Sequence, residues 1–414
     1  MSEVQAAQIQ VSEIQELIEW LASFGGTKEG GVTRLLYSKE WVQAQTALKE
    51  KMEDNGFQAY FDQVGNLYGR IEGKEETDRF ILTGSHIDTV IQGGKYDGAY
   101  GILASFLAVK RLVENFGKPK KTIEVVALCE EEGSRFPLAY WGSRNIMGEY
   151  SPMTIEGMVD TEGVFFKQAM TEAGFPYPDY QTKKREDIEH FVELHIEQGG
   201  ILEKGQLDLG LVSHIVGQKR FTITLNGESN HAGTTPMQER KDALVCAANA
   251  ISELTAIAKA DYPSLRITTG QIIAKPNVPN VIAGNVKFTL DIRHHEADVL
   301  EEFCERAIQQ LHQLANSNGI GIDVDLWTDI RPVPLDTKLH EKMQNKLEEK
   351  ELKHTTMVSG AGHDAQVFGH YLPTTMLFVP SKDGISHSPL EFTDSSQLEI
   401  GVSVLMEYLY ELAY

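Results

Sequence analysis

The sequence predicts an α/β protein of two domains, the second inserted into the first, and three observations carry that expectation. Apolar strand patterns alternate with helix patterns between residues 57 and 128, as in a sheet with helices on its faces. From about residue 213 the order becomes βαββαβ, that of a ferredoxin-like sandwich. After residue 331 the first pattern resumes, which gives segments of 1–212, 213–330 and 331–414. A chain of 414 residues has the length for two cores.

Behind a polar stretch, Ser12 and Gln15 form a capping box for a helix with Ile14, Leu17, Ile18 and Leu21 on one stripe, stopped by Gly25 and Gly26. A second helix starts at Ser38, turns Trp41, Leu48 and Met52 inward, and ends at Asn55 and Gly56. Strands are expected over 57–62 and 67–71, and an apolar strand from Phe80 runs into GSHIDTVIQGGKYDG. A helix over 101–116 and a strand over 123–128 lead to CEEEGSRFP. The stretch 141–181 is aromatic and irregular, with one helix expected over 162–173, before a strand over 191–196 inside ELHIEQGG. The inserted domain reads as strand 219–226, helix 242–259, strands 265–275 and 285–293, helix 297–315 and strand 322–328. Its loops GESNHAGTTPM and NVPNVIAG hold His231 and Asn280. A helix over 337–352, a short strand, SGAGHDA, a strand over 375–379, GISHSPLE and a helix over 395–412 complete the chain.

Charge and cysteine usage narrow the function classes. With 60 acidic against 38 basic residues the net charge is -22, and no Lys/Arg-rich run occurs, which argues against nucleic acid or an anionic membrane as partner. Cys129, Cys246 and Cys304 are too far apart for a zinc ribbon or redox pair and read as buried residues in a reducing compartment. The first residues lack a signal-peptide pattern and no run reaches membrane-spanning length, so a soluble cytoplasmic protein is expected.

His86, Asp97, Glu132, His195 and His387 all fall at ends of strands expected in one domain. His86 and Asp88 are two apart, so on extended backbone they point the same way, one able to bind a metal while the other orients it. Glu130, Glu131 and Glu132 repel one another unless cations compensate them. Imidazoles with a bridging carboxylate suit two divalent cations, and the lack of cysteine favours Zn or Mn. Such a pair lowers the pKa of a shared water and polarises a carbonyl, while Glu131 could move the proton to a leaving amine. There is no GxSxG, GxxxxGK[ST] or GxGxxG, so hydrolysis of a C–N bond is the chemistry this set serves best.

Taken together, GSHIDTV with GGxxDG, EEEGSRF, ELHIEQG, VGQxR, NHAGTTPM, SGAGHDA and GISHSP resemble the amidohydrolase branch of the dinuclear M20 peptidase family. That branch includes N-carbamoyl-L-amino acid hydrolases, β-ureidopropionases and allantoate amidohydrolases. GGVTRLLYS, NLYGR and IDVDLWTDIRPVP are most similar to the allantoate-hydrolysing members, and the resemblance covers nearly the whole chain. It implies that His86, Asp97, Glu132, His195 and His387 hold two metals with Asp97 bridging, that Glu131 is the general base, and that Asp88 supports the first ligand. It further implies that Gln198, His231, Asn280, Arg293 and Gly362 contact a small ureide substrate. A homodimer formed through the smaller domain is also implied, with His231 reaching the neighbouring site to stabilise the oxyanion. With metals in one domain and Arg293 in the other, domain closure is expected to act as a lid. The alternatives are an N-carbamoyl-L-amino acid amidohydrolase and, from another class, a non-catalytic metal or ureide binder.

Overall fold

A computed structural model describes residues 11–414 except 76, 77, 152, 176, 178, 179 and 182, with side chains from residue 13 onward. The polar stretch 1–10 and the Ser12 cap lie outside the described residues and side chains. The chain divides into two compact units. The larger runs to Ser213 and resumes over Leu335–Ser359 and His363–Tyr414, and the smaller comprises His214–Pro334 with Gly360–Gly362.

The larger unit opens with α1 (Val11–Ala22) and α2 (Lys39–Asp54). Ile14, Ile18 and Leu21 of α1 are fully buried, as their helical spacing requires. Ser38 caps α2 by accepting the Trp41 N–H at 3.2 Å, and Trp41, Leu48 and Met52 face the core. There follow β1 (Gln58–Phe61), β2 (Leu67–Ile71), β3 (Phe80–His86), α3 (Ala99–Phe116), β4 (Ile123–Leu128), α4 (Trp141–Ile146), α5 (Phe166–Glu172), β5 (Ile188–Ile196), α6 (Ile201–Gly205) and β6 (Leu209–Ile215).

In the smaller unit lie β7 (Gly217–Asn226), α7 (Ala243–Asp261), β8 (Arg266–Thr268), β9 (Ile272–Lys275), β10 (Asn285–His294), α8 (Ala297–Ser317), β11 (Gly321–Ile330) and β12 (Val333–Pro334). Then come α9 (Thr337–Glu349), β13 (His354–Ser359), α10 (Asp364–Gly369), β14 (Thr374–Val379) and α11 (Ser395–Ala413).

What positions the site is the order β1-β2-β4-β3-β5-β14-β6 in the larger sheet. β3 runs parallel to β4 and β5, and β14 runs parallel to β5, while β1, β2 and β6 pair antiparallel. Four carboxyl ends therefore share one edge. The chain leaves β3 for β4 on one side, and β5 lies on the other, so the strand order reverses beside β3, where open sheets bind ligands. β3, β4 and β14 are buried along their whole length, which is why they read as unbroken apolar runs rather than alternating ones. Even Thr83 and Ser85 inside β3 are satisfied, by Val192 O at 2.9 Å and Glu193 Oε1 at 2.7 Å.

The smaller unit has the sheet order β11-β7-β10-β8 with β9 beside β10, and every pair is antiparallel. Alternate residues of β7 and β10, including Phe221, Ile223, Val286 and Phe288, are buried in one core with Ala250 and Leu254 of α7 and Phe303 and Leu311 of α8.

Several expected elements differ. The helix expected over 162–173 begins only at Phe166, because Asp160 Oδ1 accepts the N–H groups of Glu162 and Val164 at 3.0 and 2.9 Å and turns the chain first. The strand expected over 265–275 is two pieces, β8 and β9, and between them the Thr289 hydroxyl accepts the Gln271 N–H at 3.2 Å in place of a ladder partner. α4, α6 and α10 were not expected; at five or six residues each is too short to show a helical period. Nor was β6 expected, the antiparallel neighbour of β14.

Candidate metal centre

Asp97 is the centre of the site, and the sequence around it explains why. β3 ends on His86, and the chain must return beneath that ring to start α3. Gly98 makes the return at φ +63°; a Cβ there would sit 2.4 Å from His86 O and 2.5 Å from its Cε1. Only glycine fits, which accounts for the last residue of GGKYDG. Asp97 thereby lies just before the amino terminus of α3, where negative charge is favoured.

One oxygen of Asp97, Oδ1, lies 3.6 Å from His86 Nε2 and 3.1 Å from His195 Nε2. The other, Oδ2, lies 3.2 Å from His387 Nε2, which is in turn 3.4 Å from Glu132 Oε1. Two donor sets thus share one carboxylate: His86, His195 and Asp97 on one side, and Glu132, His387 and Asp97 on the other. His86 Nδ1 is 3.1 Å from Asp88 O and His195 Nδ1 is 2.9 Å from Ile196 O. With each Nδ1 on a backbone carbonyl, both Nε2 atoms lie on the side of Asp97, and that of His195 also accepts the Gly98 N–H at 3.2 Å.

Asp88 has a second task that its spacing from His86 did not reveal. Its Oδ1 accepts the Glu131 N–H at 2.9 Å and its Oδ2 the Glu132 N–H at 3.2 Å, so it anchors the loop after β4 as well as His86. Glu130, unassigned from the sequence, turns back so that its Oε1 accepts the Gly133 N–H. Burial is the main cause holding the Glu130 and Glu131 carboxyls well above the ordinary range, and burial followed by the charge of Asp97 pushes Glu132 up to about 8. These carboxyls resist ionisation without cationic compensation. Among the described residues, Asp97 and Glu132 form ion pairs with histidines only. Three imidazole nitrogens gathered on one carboxylate beside underionised glutamates are the donor chemistry that divalent cations satisfy, so the residues fit a two-cation centre.

His387 departs from its expected place at a strand end. β14 stops at Val379, and His387 lies beyond a 3-10 turn at Lys382–Gly384, at φ +54° with its side chain 49% exposed. The loop that delivers it is closed at its base by Lys382 N–H to Phe392 O at 2.9 Å and by the Thr393 hydroxyl to Pro380 O at 2.9 Å. Gln198, just past β5 at φ +55°, joins this half: its Nε2 donates to Asp97 Oδ2 at 2.9 Å.

His231, Asn280, Arg293 and Gly362 belong to the smaller unit. There the two loops singled out from the sequence are joined, with Ala232 N–H on Asn280 O at 3.1 Å and Ile282 N–H on Asn230 O at 2.8 Å. His231 Nδ1 accepts the N–H groups of Gly233 and Thr234 at 3.0 and 3.2 Å, which leaves its Nε2–H as the outward donor. Arg293 is held by Asp291 through Nε at 2.9 Å and Nη2 at 3.1 Å, and its Nη1 donates to Gly360 O at 2.9 Å.

Two buried acids escaped the sequence reading. Glu193 accepts the Ser85 hydroxyl at 2.7 Å and the Ala365 N–H at 2.9 Å behind His195, and its signal was its place two residues before His195 on the same face of β5. Glu391, in the same motif as His387, accepts the Tyr96 and Asp97 N–H groups at 2.9 and 3.1 Å.

Comparison with known proteins identifies the family. Residues 82–411 match the model of peptidase family M20/M25/M40. The chain is 50% identical over 403 residues to an allantoate amidohydrolase of Bacillus subtilis, covering 97% of this chain and 98% of that protein. It is 38% identical over 395 residues to an N-carbamoyl-L-amino-acid amidohydrolase of a Pseudomonas species, covering 94% and 95%. Among solved structures, an amidase of the hydantoinase/carbamoylase family from Burkholderia multivorans superposes with a TM-score of 0.92 at 30% identity, covering 99% of both chains. With a family match over most of its length, and donor sets gathered at the switch point of a mixed sheet, the chain belongs to peptidase family M20/M25/M40.

Proposed function

We propose that the chain hydrolyses allantoate at one ureido group, giving ureidoglycine, ammonia and carbon dioxide. The observation that carries this reading is the pair of donor sets sharing Asp97, with Glu131 alongside, in a chain half identical to an allantoate amidohydrolase over nearly its whole length. His86, His195 and Asp97 would hold one divalent cation, Mn or Zn, and Glu132, His387 and Asp97 the second. When bound, such a pair lowers the pKa of a shared water and polarises the ureido carbonyl. Glu131, anchored through its N–H to Asp88 and raised in pKa by burial, accepts the proton of the attacking water and hands it to the leaving nitrogen.

Substrate contacts follow the same reading. Gln198 Oε1 is buried without a partner among the described residues and is an acceptor for a ureido N–H. Arg293, oriented by Asp291, grips the substrate carboxylate, and Asn280 and Gly362 add further contacts to the substrate, as the family resemblance implies. His231 donates from Nε2 to the developing oxyanion of a neighbouring subunit's site. A homodimer through the smaller domain is supported by exposed Leu244 and Val245 on α7 and Ile272 and Ile273 on the edge strand β9. α7 is the one described helix long and apolar enough to cross a membrane, but its other face belongs to the unit's core, so its exposed apolar residues suit a partner subunit better. A cytoplasmic setting fits the three buried free cysteines.

Ammonia release from allantoate, measured against N-carbamoyl-L-amino acids with the Mn-loaded protein, tests the substrate. Faster turnover of allantoate is expected, and its absence overturns the reading in favour of the carbamoyl amino acids on which the Pseudomonas relative is named to act. Light scattering tests the dimer: Ile272→Lys with Leu244→Asp should yield monomers.

A further inference from the structure

We infer that Glu391 is a positioning residue that holds together the loop-borne half of the centre, the one formed by Asp97, Glu132 and His387. The inference rests on the two-cation reading above.

Glu391 is 5% exposed, and its carboxylate divides its bonds between two distant loops. Oε1 accepts the N–H groups of Tyr96 and Asp97 at 2.9 and 3.1 Å, on the loop after β3. Oε2 accepts the Ser386 hydroxyl at 2.7 Å, on the loop after β14. Ser386 Oγ also lies 3.3 Å from Asp97 Oδ2 and directly precedes His387. One side chain therefore sets the distance between the shared carboxylate and its third imidazole.

His387 needs such help. His86 and His195 sit on strands with Nδ1 fixed on a carbonyl, whereas the contacts of His387 among the described residues are all made by Nε2. Its ring is half exposed and its backbone is left-handed. Its Nδ1 has no such anchor among the described residues, and Glu391 braces the backbone on both sides of His387, through the Ser386 hydroxyl at 2.7 Å and through its own N–H on Ser388 O at 3.0 Å. Gly94 leaves the space that Glu391 occupies: a Cβ there would lie 1.9 Å from Glu391 Oε1.

The test is metal binding by the full-length protein, with Mn or Zn titrated against a competing chelator and bound metal counted by mass spectrometry. Wild type should bind two ions per chain. Glu391→Ala should keep one near wild-type affinity and bind the other roughly 10- to 100-fold more weakly, the usual cost of losing a group that orients a ligand. Glu391→Gln, which keeps an oxygen for Tyr96 and Asp97, should restore most of the loss. In a His387→Ala background, Glu391→Ala should leave the remaining ion's affinity unchanged within about twofold, since the spacing it sets, between Asp97 and His387, no longer has a ligand at one end. A general structural role would instead weaken both ions, and that result, or wild-type affinity at both positions in Glu391→Ala, overturns the inference. Should Glu391→Ala fail to fold, Ser386→Ala removes the Oε2 bond, together with the longer Ser386 contacts to Asp97 and Gln198, while leaving the Oε1 bonds in place, and carries the same expectation and the same refutation. A wild-type protein that binds fewer than two ions refutes the two-cation reading instead.

Discussion

His86 and His195 reach Asp97 from the ends of parallel strands, 2% and 1% exposed, each with its second ring nitrogen on a backbone carbonyl. Glu132 and His387 reach the same carboxylate from loops, and the His387 side chain is 49% exposed. Strand-borne ligands inherit their positions from the sheet ladder, where His86 pairs with Leu128 and His195 with Phe378. Loop-borne ligands depend on side-chain bonds between loops, which cost conformational entropy and can be removed one at a time. The strand-borne half should therefore be the tighter of the two.

Asp97→Ala removes what the halves share, so it should cost both ions and all turnover; full metal content in that variant refutes the bridging role. Glu131→Gln should lower turnover about 10²- to 10⁴-fold with both ions retained. A non-catalytic binder would lose nothing by that change, so the same assay separates the two classes. The comparison itself is tested by His195→Ala against His387→Ala: each should cost one ion, but the ion left in His387→Ala should bind more tightly than the one left in His195→Ala. Equal affinities would erase the distinction. Asp88→Asn keeps one acceptor but sets an amide against the Glu131 or Glu132 N–H, and about 10- to 100-fold lower metal affinity or activity is expected from enzyme titrations.

The smallest effect is on the stability of chelated protein. His387 is raised to about 9, chiefly by its bond to Asp97, and Glu132 to about 8, chiefly by burial. Both folded-state values lie above the unfolded ones, so both groups stabilise most at low pH. The Glu132 contribution fades as pH rises from about 4.5 through about 8, and that of His387 from about 6.5 through about 9. Exposure of His387 screens its share. Thermal melts with chelator should thus show lower midpoints at pH 9 than at pH 6, and metal loading should remove the decline because cations favour the deprotonated ligands.

Much of this was legible in sequence because it is local. Ser38 as a helix cap and the apolar runs of β3, β4 and β14 each follow from neighbouring residues. His86, Asp97, Glu132, His195 and His387 could be named because they stand in short, distinctive motifs. The division of Asp97 between two imidazole sets could not, since it depends on the order in which strands lie side by side. Glu391 was missed because an acid that bonds backbone groups on another segment carries no local mark of doing so, whereas the mark of Glu193 was only its strand spacing from His195. Asp160, in turn, shows a local competitor overriding helix pattern, with its side chain capturing two N–H groups just ahead of α5.

By itself the sequence determined which residue types could form a two-cation hydrolytic centre, and that they stand at or shortly after the ends of apolar strands. Local spacing and burial preference suffice for that, because they act within a few residues. The tertiary structure alone decided that β4, β3, β5 and β14 lie parallel with their carboxyl ends together, and that one aspartate stands between a rigid half and a loop-held half. Those outcomes depend on contacts between segments as far apart as Asp97 and His387, which only packing of the whole sheet brings within 3.2 Å.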